Sequence, residues 1–445
     1  MNLTITPVIT ILVVLCTLNS FPQENWSYSD CLKYALDNNI RIKQQSLNVM
    51  AMENSVSRAK SNILPSFNGA LSNSFNYGRS LTYDNTYKDV NSTQLEGYLV
   101  TDITLWNGFI LSNDIKKSKL DLQAALQEQL RIKNEIILNI TASYLEILFA
   151  EEILMIAEEQ LELTNRQLRR TKKLVEAGSL AAGAVLEAEA RLAGDTLQLV
   201  KEVNRIKMAY MNLFQLLELP ADKNFRIIHP ELPEIKTKKM PQNSNEILKK
   251  ALNKRPEIKA SEIRIESAKR QLDIARGNRY PGLSFGADYL NIYNNKYTGM
   301  YNNHINLSDQ LSNNKRYTMG FKLNIPLFNK FRVKYEIFDA SIKVQTCEYQ
   351  LENTRNILKK EIMQAWNNAN AALNRYLAGK KAVTAAEEAF RYAEEKLNAG
   401  LISSMDYYQS KNYLTTVRSE LVQSKYEYIF RSKILDFYRG IPIEL

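Results

Sequence analysis

The sequence predicts a mainly α-helical protein with a small antiparallel β part, built from a duplicated unit of helix, two strands, long helix and shorter helix. Three observations predict this: the second half repeats the first, the long segments carry apolar residues every seven positions, and two shorter segments per half alternate apolar and polar residues. The chain has 445 residues, 45% hydrophobic and 24% charged, a composition typical of an ordered protein. Only 15 Gly and 11 Pro interrupt it, which leaves room for very long helices.

The chain opens with an apolar stretch that has the length of a signal-peptide core. It runs almost without interruption from Ile5 to Leu18 and is too short to span a bilayer. We therefore predict a signal peptide over residues 1–22, although no Lys or Arg precedes Lys33. A buried helix and a lipoprotein acylated at Cys16 are the alternatives.

The strongest organisational feature is an internal duplication. The segment ending at Pro65 resembles the segment ending at Pro281, an offset of 216 residues, and Gly178 corresponds to Gly400, an offset of 222 residues. The second copy therefore carries six more residues than the first, between Pro281 and Leu327. Because the copies are otherwise colinear, we expect each to fold into the same series of elements.

The duplication divides the mature chain into three parts. We predict a first structural repeat over residues 23–220, a linker or equatorial segment over 221–245, and a second structural repeat over 246–445. Each repeat starts with a helix, near residues 29–62 and 245–278. The linker is rich in Pro and Lys, which indicates a connecting segment outside the coiled coil.

Two segments in each repeat alternate apolar and polar residues, the pattern of a half-buried strand. They predict strands over residues 66–77, 93–106, 283–293 and 316–328. One face of these strands suits lipid and the other suits water. Four charged residues fall on the polar face, which we predict to line a lumen: Glu96, Asp102, Arg316 and Lys322.

An ordinary antiparallel sheet packed on a core is one interpretation of the four strands. No other segment offers the sheet an apolar cover, however, because the helices already bury their seams against one another. Strands of this kind in an exported protein fit an outer-membrane barrel. Four strands leave two open edges, which lipid does not tolerate, so we predict that three chains pool their strands into one twelve-stranded transmembrane β-barrel.

Each repeat continues with one very long helix and a shorter returning helix. A seven-residue spacing of apolar side chains is the signature of a coiled-coil seam. We predict helical hairpins over residues 110–217 and 332–438, with Gly178 and Gly400 ending the outgoing helices. The predicted seam of the first long helix comprises Leu126, Ile140, Ile147, Leu154, Leu161, Leu168 and Val175.

Charge and residue content argue against several classes of function. The net charge is +10, but Lys and Arg alternate with Glu along the helices, which argues against nucleic acid as a partner. Beyond the signal, Cys31 and Cys347 are interpreted as buried thiols, with a disulfide between them as the alternative. His229 and His304 are the only histidines, and neither has a partner at metal or triad spacing, so we expect no enzyme activity, metal or cofactor.

The duplicated pattern, together with two local motifs, resembles a known family. The run Ala-Leu-Asn-Lys-Arg-Pro-Glu-Ile at positions 251–258, and the Ala-Gly turn at 399–400 followed by Asp406, are similar to the TolC-like outer-membrane efflux protein family. The resemblance implies a homotrimer in the outer membrane, with a twelve-helix α-barrel in the periplasm and a shared β-barrel in the lipid. It also implies the channel of a tripartite efflux or type I secretion system, docked on a periplasmic adaptor (membrane fusion) protein and an inner-membrane pump of the RND, ABC or MFS type.

The resemblance further implies that rings of aspartates close the tunnel at the hairpin ends. Asp406 matches one ring position and Gln409 occupies the second; with Gly178 and Gly400 they form the predicted periplasmic aperture. Ala184 stands where the first repeat would carry an aspartate, which argues against strong cation binding. For Asp406 the alternative is a helix N-terminal acid stabilised by the helix dipole.

Two other classes of protein share parts of this pattern. A soluble periplasmic coiled-coil adaptor would contain the helical hairpins, but it would not need four strands with a lipid-type face. An enzyme on a helical scaffold would need a His, Cys or phosphate-loop constellation that the sequence lacks. We therefore expect a passive duct, whose energy and cargo selection come from a partner pump.

Overall fold

The computed structural model describes residues 24–81, 85–89, 91–219, 225–232, 235, 243–298 and 304–445. The predicted signal peptide, with Cys16, lies outside the described residues, as does part of the predicted linker. The chain divides into two compact units. Unit 1 comprises Met1–Ser46, Gln129–Pro256 and Arg355–Leu445, and unit 2 comprises Leu47–Glu128 and Glu257–Thr354.

In both repeats a pair of helices precedes two long strands, a helix of 67 residues and a returning helix. The elements up to the linker are β1 Glu24–Trp26, α1 Tyr28–Asn38, α2 Ile40–Ser61, β2 Ser66–Asn76, β3 Arg79–Leu81, β4 Tyr87–Asp89, β5 Ser92–Trp106, α3 Ile110–Glu176, α4 Gly183–Leu217 and β6 Phe225–Ile227. Those after it are α5 Ser244–Lys254, α6 Pro256–Gly277, β7 Gly282–Asn294, α7 Leu307–Asn313, β8 Arg316–Asn324, α8 Arg332–Asn398 and α9 Ser404–Arg439. The expected mainly helical fold with a small antiparallel β part is therefore confirmed.

The helix that opens each repeat is broken in two, which differs from the single helix expected from sequence. Arg255 adopts φ −68° and ψ 133°, because the residue before Pro256 is driven out of the helical region. Asn39 breaks the first copy: its side-chain oxygen accepts a hydrogen bond from the Arg41 N–H at 3.0 Å, and its amide donates to the Leu216 carbonyl at 3.0 Å. Asn39 thereby caps α2, whereas Pro256 starts its counterpart α6.

The core of unit 1 is built where α1, α3, α4 and the short strands meet. The Tyr28 and Thr141 hydroxyls lie 2.8 Å apart, and the Tyr144 hydroxyl donates to the Ile228 carbonyl. β1 and β6 pair in parallel, so part of the predicted linker is ordered in this core rather than outside the helices. Fully buried side chains here include Cys31, Ile136, Ile140, Ile147, Leu213 and Leu217.

The predicted thiols and seam are mostly buried. Cys31 and Cys347 are free and buried, which confirms their interpretation as buried thiols. Ile140 and Ile147 are fully buried, but Leu126 is 40% exposed, because α6 packs on the neighbouring face of α3, where Ala124 and Ala125 are buried. The seam prediction is therefore wrong at Leu126.

None of the helices among the described residues combines the length and the apolar content that crossing a membrane requires.

The four long strands lie close to the predicted ranges, with one clear difference. β8 ends at Asn324, whereas the alternation predicts a strand to residue 328. Pro326 has no N–H to donate to a ladder, which accounts for the early end. The loops between the strands hold the β3–β4 hairpin and the short helix α7.

The long strands form one antiparallel sheet in the order β2-β5-β7-β8. The register pairs odd-numbered residues with odd-numbered residues across the sheet, as in Phe67↔Thr101 and Phe285↔Phe321, up to an irregularity at Trp106. Directly opposed side chains share a face, so the apolar residues of all four strands form one surface. Among the described strands, none pairs with the outer edges of β2 and β8.

Candidate functional site

The ends of the two helical hairpins are the first candidate, and glycine shapes both. Gly178 and Gly400 adopt φ +71° and +75°, a left-handed conformation that glycine adopts at little cost. The backbone N–H groups of Gly178 and Ser179 donate to the carbonyls of Val175 and Leu174, closing α3 with the αL motif expected at a helix end. Both glycines thus end the long helices as predicted, and their part in an aperture stays a prediction.

Asp406 lies in the first turn of α9 and is engaged in a capping box with Ser403. Its carboxylate accepts hydrogen bonds from the Ser403 N–H at 3.2 Å and the Ser403 hydroxyl at 2.7 Å, and its own N–H donates to that hydroxyl. Gln409 is exposed one turn further on. The first hairpin has no equivalent, because Ala182 precedes α4 without a side-chain cap. These contacts fit the helix-terminal role for Asp406 that the sequence left open.

A buried lysine, which the sequence analysis did not single out, lies close to the same end of α9. Lys411 is only 2% exposed. Its ammonium donates to the Gln160 carbonyl at 2.9 Å and to the Thr164 hydroxyl, both on α3, and lies 3.5 Å from the Asp195 carboxylate on α4. One cation therefore joins three helices drawn from both repeats.

The surroundings of Lys411 complete a polar cluster inside the helical packing. The Thr164 hydroxyl donates to the Asp195 carboxylate, and the Arg191 guanidinium lies 4.2 Å from the ring centre of Tyr408. Burial lowers the pKa of the Lys411 ammonium, and the Asp195 carboxylate opposes that shift. A charge in this position is retained only because protein oxygens replace its water.

The sequence contains a weak signal for this cluster. Lys411 lies four residues after Tyr407 and three before Leu414, both of which are buried. It therefore occupies the apolar face of α9, where a charged residue is unusual unless it is paired. Its partners could not be found from spacing, since Gln160 and Asp195 are more than two hundred residues away in sequence.

A second candidate is the polar face of the sheet. The register places Glu96 opposite Ser72, Asp102 opposite Gly286, Arg316 opposite Leu290 and Lys322 opposite Ser284. All four predicted lumen residues therefore share one face, the face opposite the apolar surface. That this face lines a lumen stays a prediction.

Aromatic side chains lie at both ends of the apolar sheet face. At one end the Trp106 ring lies 6.3 Å from the rings of Phe109 and Tyr280. Toward the other end the rings of Tyr289 and Tyr317 are 5.1 Å apart. Roughly 30 Å of extended chain separates the two groups, and such paired aromatic girdles are typical of strands that cross a membrane.

The histidines differ from the sequence-based expectation in one respect. His229 Nε2 lies 2.8 Å from a Glu151 carboxylate oxygen, and the Tyr210 hydroxyl donates to Glu151 at 3.2 Å. The expectation that His229 lacks a partner is wrong, because the linker folds back onto α3. Within the part of the chain that the structure describes, no group of three or more His, Cys, Asp or Glu side chains could hold a metal ion.

Comparison with known proteins bears on both sites. A family model described as outer membrane efflux protein matches residues 31–218 and 247–438. The chain is similar to outer membrane protein TolC of Salmonella enteritidis, with 23% identity over 371 residues, 82% of this chain and 73% of that protein. It is also similar to outer membrane efflux protein BepC of Brucella suis, with 20% identity over 403 residues, 90% of this chain and 82% of that protein.

The fold is also found among solved structures. The outer membrane protein VceC from Vibrio cholerae superposes with a TM-score of 0.77 at 19% identity, over 94% of this chain and 97% of that chain. At this identity the likeness concerns the fold. It extends over nearly the whole chain, including the helical hairpins and the sheet.

Proposed function

The chain belongs to the outer membrane efflux protein family, and from this premise we propose that it is the outer-membrane channel of a tripartite efflux or type I secretion system. The family is one of channel and transport proteins rather than enzymes. In the outer membrane the protein is a passive duct from the periplasm to the exterior. A periplasmic adaptor and an energised inner-membrane pump of the RND, ABC or MFS type complete the system in this proposal.

The observation that carries the proposal is a sheet that is incomplete in one chain. Phe67, Leu71 and Phe321 on its apolar face are 73%, 74% and 72% exposed, which in water would invite aggregation. Lipid would cover this face, but it would leave the open edges of β2 and β8 unpaired. Pairing β8 of one subunit with β2 of the next resolves both problems, and three subunits supply a twelve-stranded barrel.

The helices of unit 2 support the same arrangement. α6 is covered on two sides: the Ser267 hydroxyl donates to Asp121 of α3, and Asn278, just after α6, donates to Glu336 of α8 at 3.1 Å. Ser267 is accordingly buried. Its counterpart in the first repeat, 216 residues earlier, is Ala51 of α2, which is exposed.

The exposed side of α8 has the character needed to cover α2. Applying the duplication to the contact between α3 and α6 pairs α8 of one subunit with α2 of the next, which is a head-to-tail interface that closes a ring. The apolar residues that α8 exposes in unit 2 are Tyr335, Phe338, Ile342 and Tyr349, and those that α2 exposes there are Leu47 and Met50. We therefore propose a homotrimer.

A disulfide cross-link tests this interface directly. The contact between Asp121 and Ser267 transfers, by the offsets of 222 and 216 residues, to Lys343 and to Ala51 of the partner subunit. Oxidation of the Lys343→Cys/Ala51→Cys variant should give covalent dimers and trimers on non-reducing gels. Lys343→Cys/Glu53→Cys is the matched control, since the counterpart of Glu53, Lys269, is exposed.

Native mass and conductance test the function itself. Protein extracted from outer membranes in mild detergent should have the mass of a trimer and should conduct ions across a planar bilayer. A monomer that leaves the membrane without detergent would refute the channel and favour the soluble coiled-coil adaptor. A conducting trimer in which the Lys343→Cys/Ala51→Cys pair does not cross-link would refute only the proposed helix pairing.

A further inference from the structure

The second loop between strands contains a segment that is built into the sheet. Gln310 of α7 is 1% exposed. Its amide donates to the carbonyls of Asn294 at 2.9 Å and Ile305 at 2.7 Å, and its side-chain oxygen accepts from the Asn294 N–H at 2.9 Å. A buried glutamine with three backbone partners holds α7 at the end of β7 in a defined place.

Contacts with β7 show on which side of the sheet α7 lies. Asn291 is on the apolar face, in register with Tyr289 and Tyr293, and its amide donates to the Leu311 carbonyl at 2.9 Å. Asn314, just after the helix, donates to the Ile292 carbonyl at 2.7 Å. α7 therefore lies toward the apolar face, and this contact explains the polar Asn291 in an otherwise apolar row.

Helix geometry divides α7 into flanks of different character. At about 100° per residue, Gln310 points to the sheet, Leu307 and Leu311 share one flank, and Asp309 and Asn313 share the other. The two leucines are 45% and 39% exposed. The helix thus presents an apolar flank and a polar flank on either side of its anchoring glutamine.

The surroundings of the apolar flank match the chemistry of a lipid headgroup region. The rings of Tyr289 and Tyr317 stack at 5.1 Å on the same face, and tyrosine prefers the boundary between hydrocarbon and water. Lys296 and Lys315 flank the loop, and Asp309 is the only acidic residue between positions 289 and 317. Exposed leucines beside tyrosines and basic residues are the combination by which interfacial helices bind anionic lipid.

We propose that α7, with Tyr289, Tyr317 and the two flanking lysines, is a contact site for the phosphate-bearing headgroups of the outer leaflet. The leucine flank enters the boundary between headgroups and hydrocarbon, and the lysines pair with lipid phosphates. The second loop is then an anchor that fixes the depth of the sheet in the membrane. The proposal rests on the proposed function, because it requires the apolar sheet face to meet lipid.

Spin labels on single cysteines test it, because Cys31 and Cys347 are buried and should react little. Leu311→Cys, Asn313→Cys and Phe321→Cys would be labelled in the full-length trimer, reconstituted in vesicles containing lipid A. Power saturation would compare access of oxygen, which partitions into lipid, with access of a water-soluble nickel chelate. We expect the label at residue 311 to favour oxygen, that at residue 313 to favour nickel, and that at residue 321 to favour oxygen strongly.

The residue 321 label separates failure of this proposal from failure of the channel. If residue 321 favours oxygen while residues 311 and 313 are equally open to nickel, the headgroup contact is wrong and the membrane-spanning sheet stands. If residue 321 also favours nickel, the sheet does not face lipid and both proposals fall.

The basic residues are tested separately. Lys296→Gln and Lys315→Gln should each lower the retention of lipid A by the trimer about fivefold in native mass spectrometry. Lys334→Gln, a lysine on α8 distant in sequence from the loop, is the control and should not. Unchanged retention in both loop variants would overturn the pairing of the lysines with lipid phosphates.

Discussion

At the scale of single residues, Lys411 shows how a charge can be kept inside a helical bundle. Burial removes water from its ammonium, and the Gln160 carbonyl, the Thr164 hydroxyl and the Asp195 carboxylate take the place of that water. These partners belong to two other helices, so the lysine couples the helical hairpins of the two repeats. Its removal should affect stability more than removal of a lysine on the surface.

Lys411→Met is expected to lower the free energy of unfolding by about 2 kcal/mol, because hydrogen bonds to a buried charge are lost and Asp195 keeps an unpaired carboxylate. Urea unfolding followed by helical circular dichroism measures this. Lys172→Met is the matched control: its pair with Glu189 is also formed between α3 and α4, but both side chains are nearly half exposed. Adding Asp195→Asn to Lys411→Met should recover part of the loss, and equal effects of Lys411→Met and Lys172→Met would contradict the argument.

The pH dependence of stability should carry the signature of this lysine. Burial lowers its pKa from the usual 10.5, so the folded protein releases the proton at lower pH than the unfolded chain does. The unfolded state then binds more protons, and the contribution of Lys411 to the free energy of unfolding rises as pH increases toward 10.5. The difference in stability between wild type and Lys411→Met should therefore grow from neutral pH toward 10.5; a constant or shrinking difference would contradict it.

Asp406 can be tested for a role beyond its capping box. If three copies of Asp406 crowd the channel axis, Asp406→Ala should reduce block of the pore by divalent cations in planar bilayer recordings. Ser403→Ala is the control, because it weakens the same cap by about 1 kcal/mol but leaves the carboxylate in place. Unchanged block in Asp406→Ala, or the same change in both variants, would leave Asp406 with the helix-terminal role alone.

At the scale of elements, the junction between strand and helix in unit 2 depends on two glycines. Gly108 adopts φ +65° in the turn that leads from β5 into α3. A Cβ added at Gly108 would lie 2.5 Å from the Gly277 carbonyl oxygen, and one added at Gly277 would lie 2.6 Å from Ile110 Cγ1 and 2.8 Å from the Gly108 carbonyl oxygen. The end of α6 thus packs directly against this turn.

Gly277→Ala should lower the free energy of unfolding by about 2 kcal/mol, since backbone must move to admit a methyl group. Trimer dissociation temperature on unheated and heated gels would report the loss. Gly320→Ala in β8 is the control, because an added Cβ there meets no atom within 4 Å. Equal thermal stability of the two variants would show that the contact between Gly108 and Gly277 relaxes without cost.

The two copies of the repeat also differ at this scale, although their sequences correspond. α6 is covered by α3 and α8 within the chain, whereas α2 leaves Leu47 and Met50 more than 60% exposed. The inner faces are alike, since Val49 and Ile265 at equivalent positions are both buried. The difference therefore arises from position at the end of the chain's helix series and not from the residues themselves.

At the scale of the whole molecule, the sheet has one face for lipid and one for water. Phe321→Lys places a charge on the apolar face near the middle of β8, which should cost about 2–4 kcal/mol at the depth of the hydrocarbon and reduce the amount of trimer in the outer membrane. Thr318→Lys on the same strand points to the opposite face and should be tolerated. Immunoblots of membrane fractions measure both, and equal loss of both variants would argue against a lipid-facing surface.

Periodicity alone determined much of this protein. The duplication, the long helices, the faces of the strands and the glycines that end the helices follow from spacings within one segment, because a helix or a strand repeats its contacts over a few residues. The same local information failed at Asn39, where a side chain capped a helix by binding Leu216, and at Leu126, where α6 chose a neighbouring face of α3.

What only the tertiary structure decided are the contacts between segments distant in sequence. The partners of Lys411, the pair of His229 with Glu151, and the anchoring of α7 through Gln310 and Asn291 depend on how separate elements pack. A sequence pattern records which face of an element is apolar, but it does not record which other element covers that face. Polar groups buried at such contacts are fixed by the packing, because each must meet a partner once water is excluded.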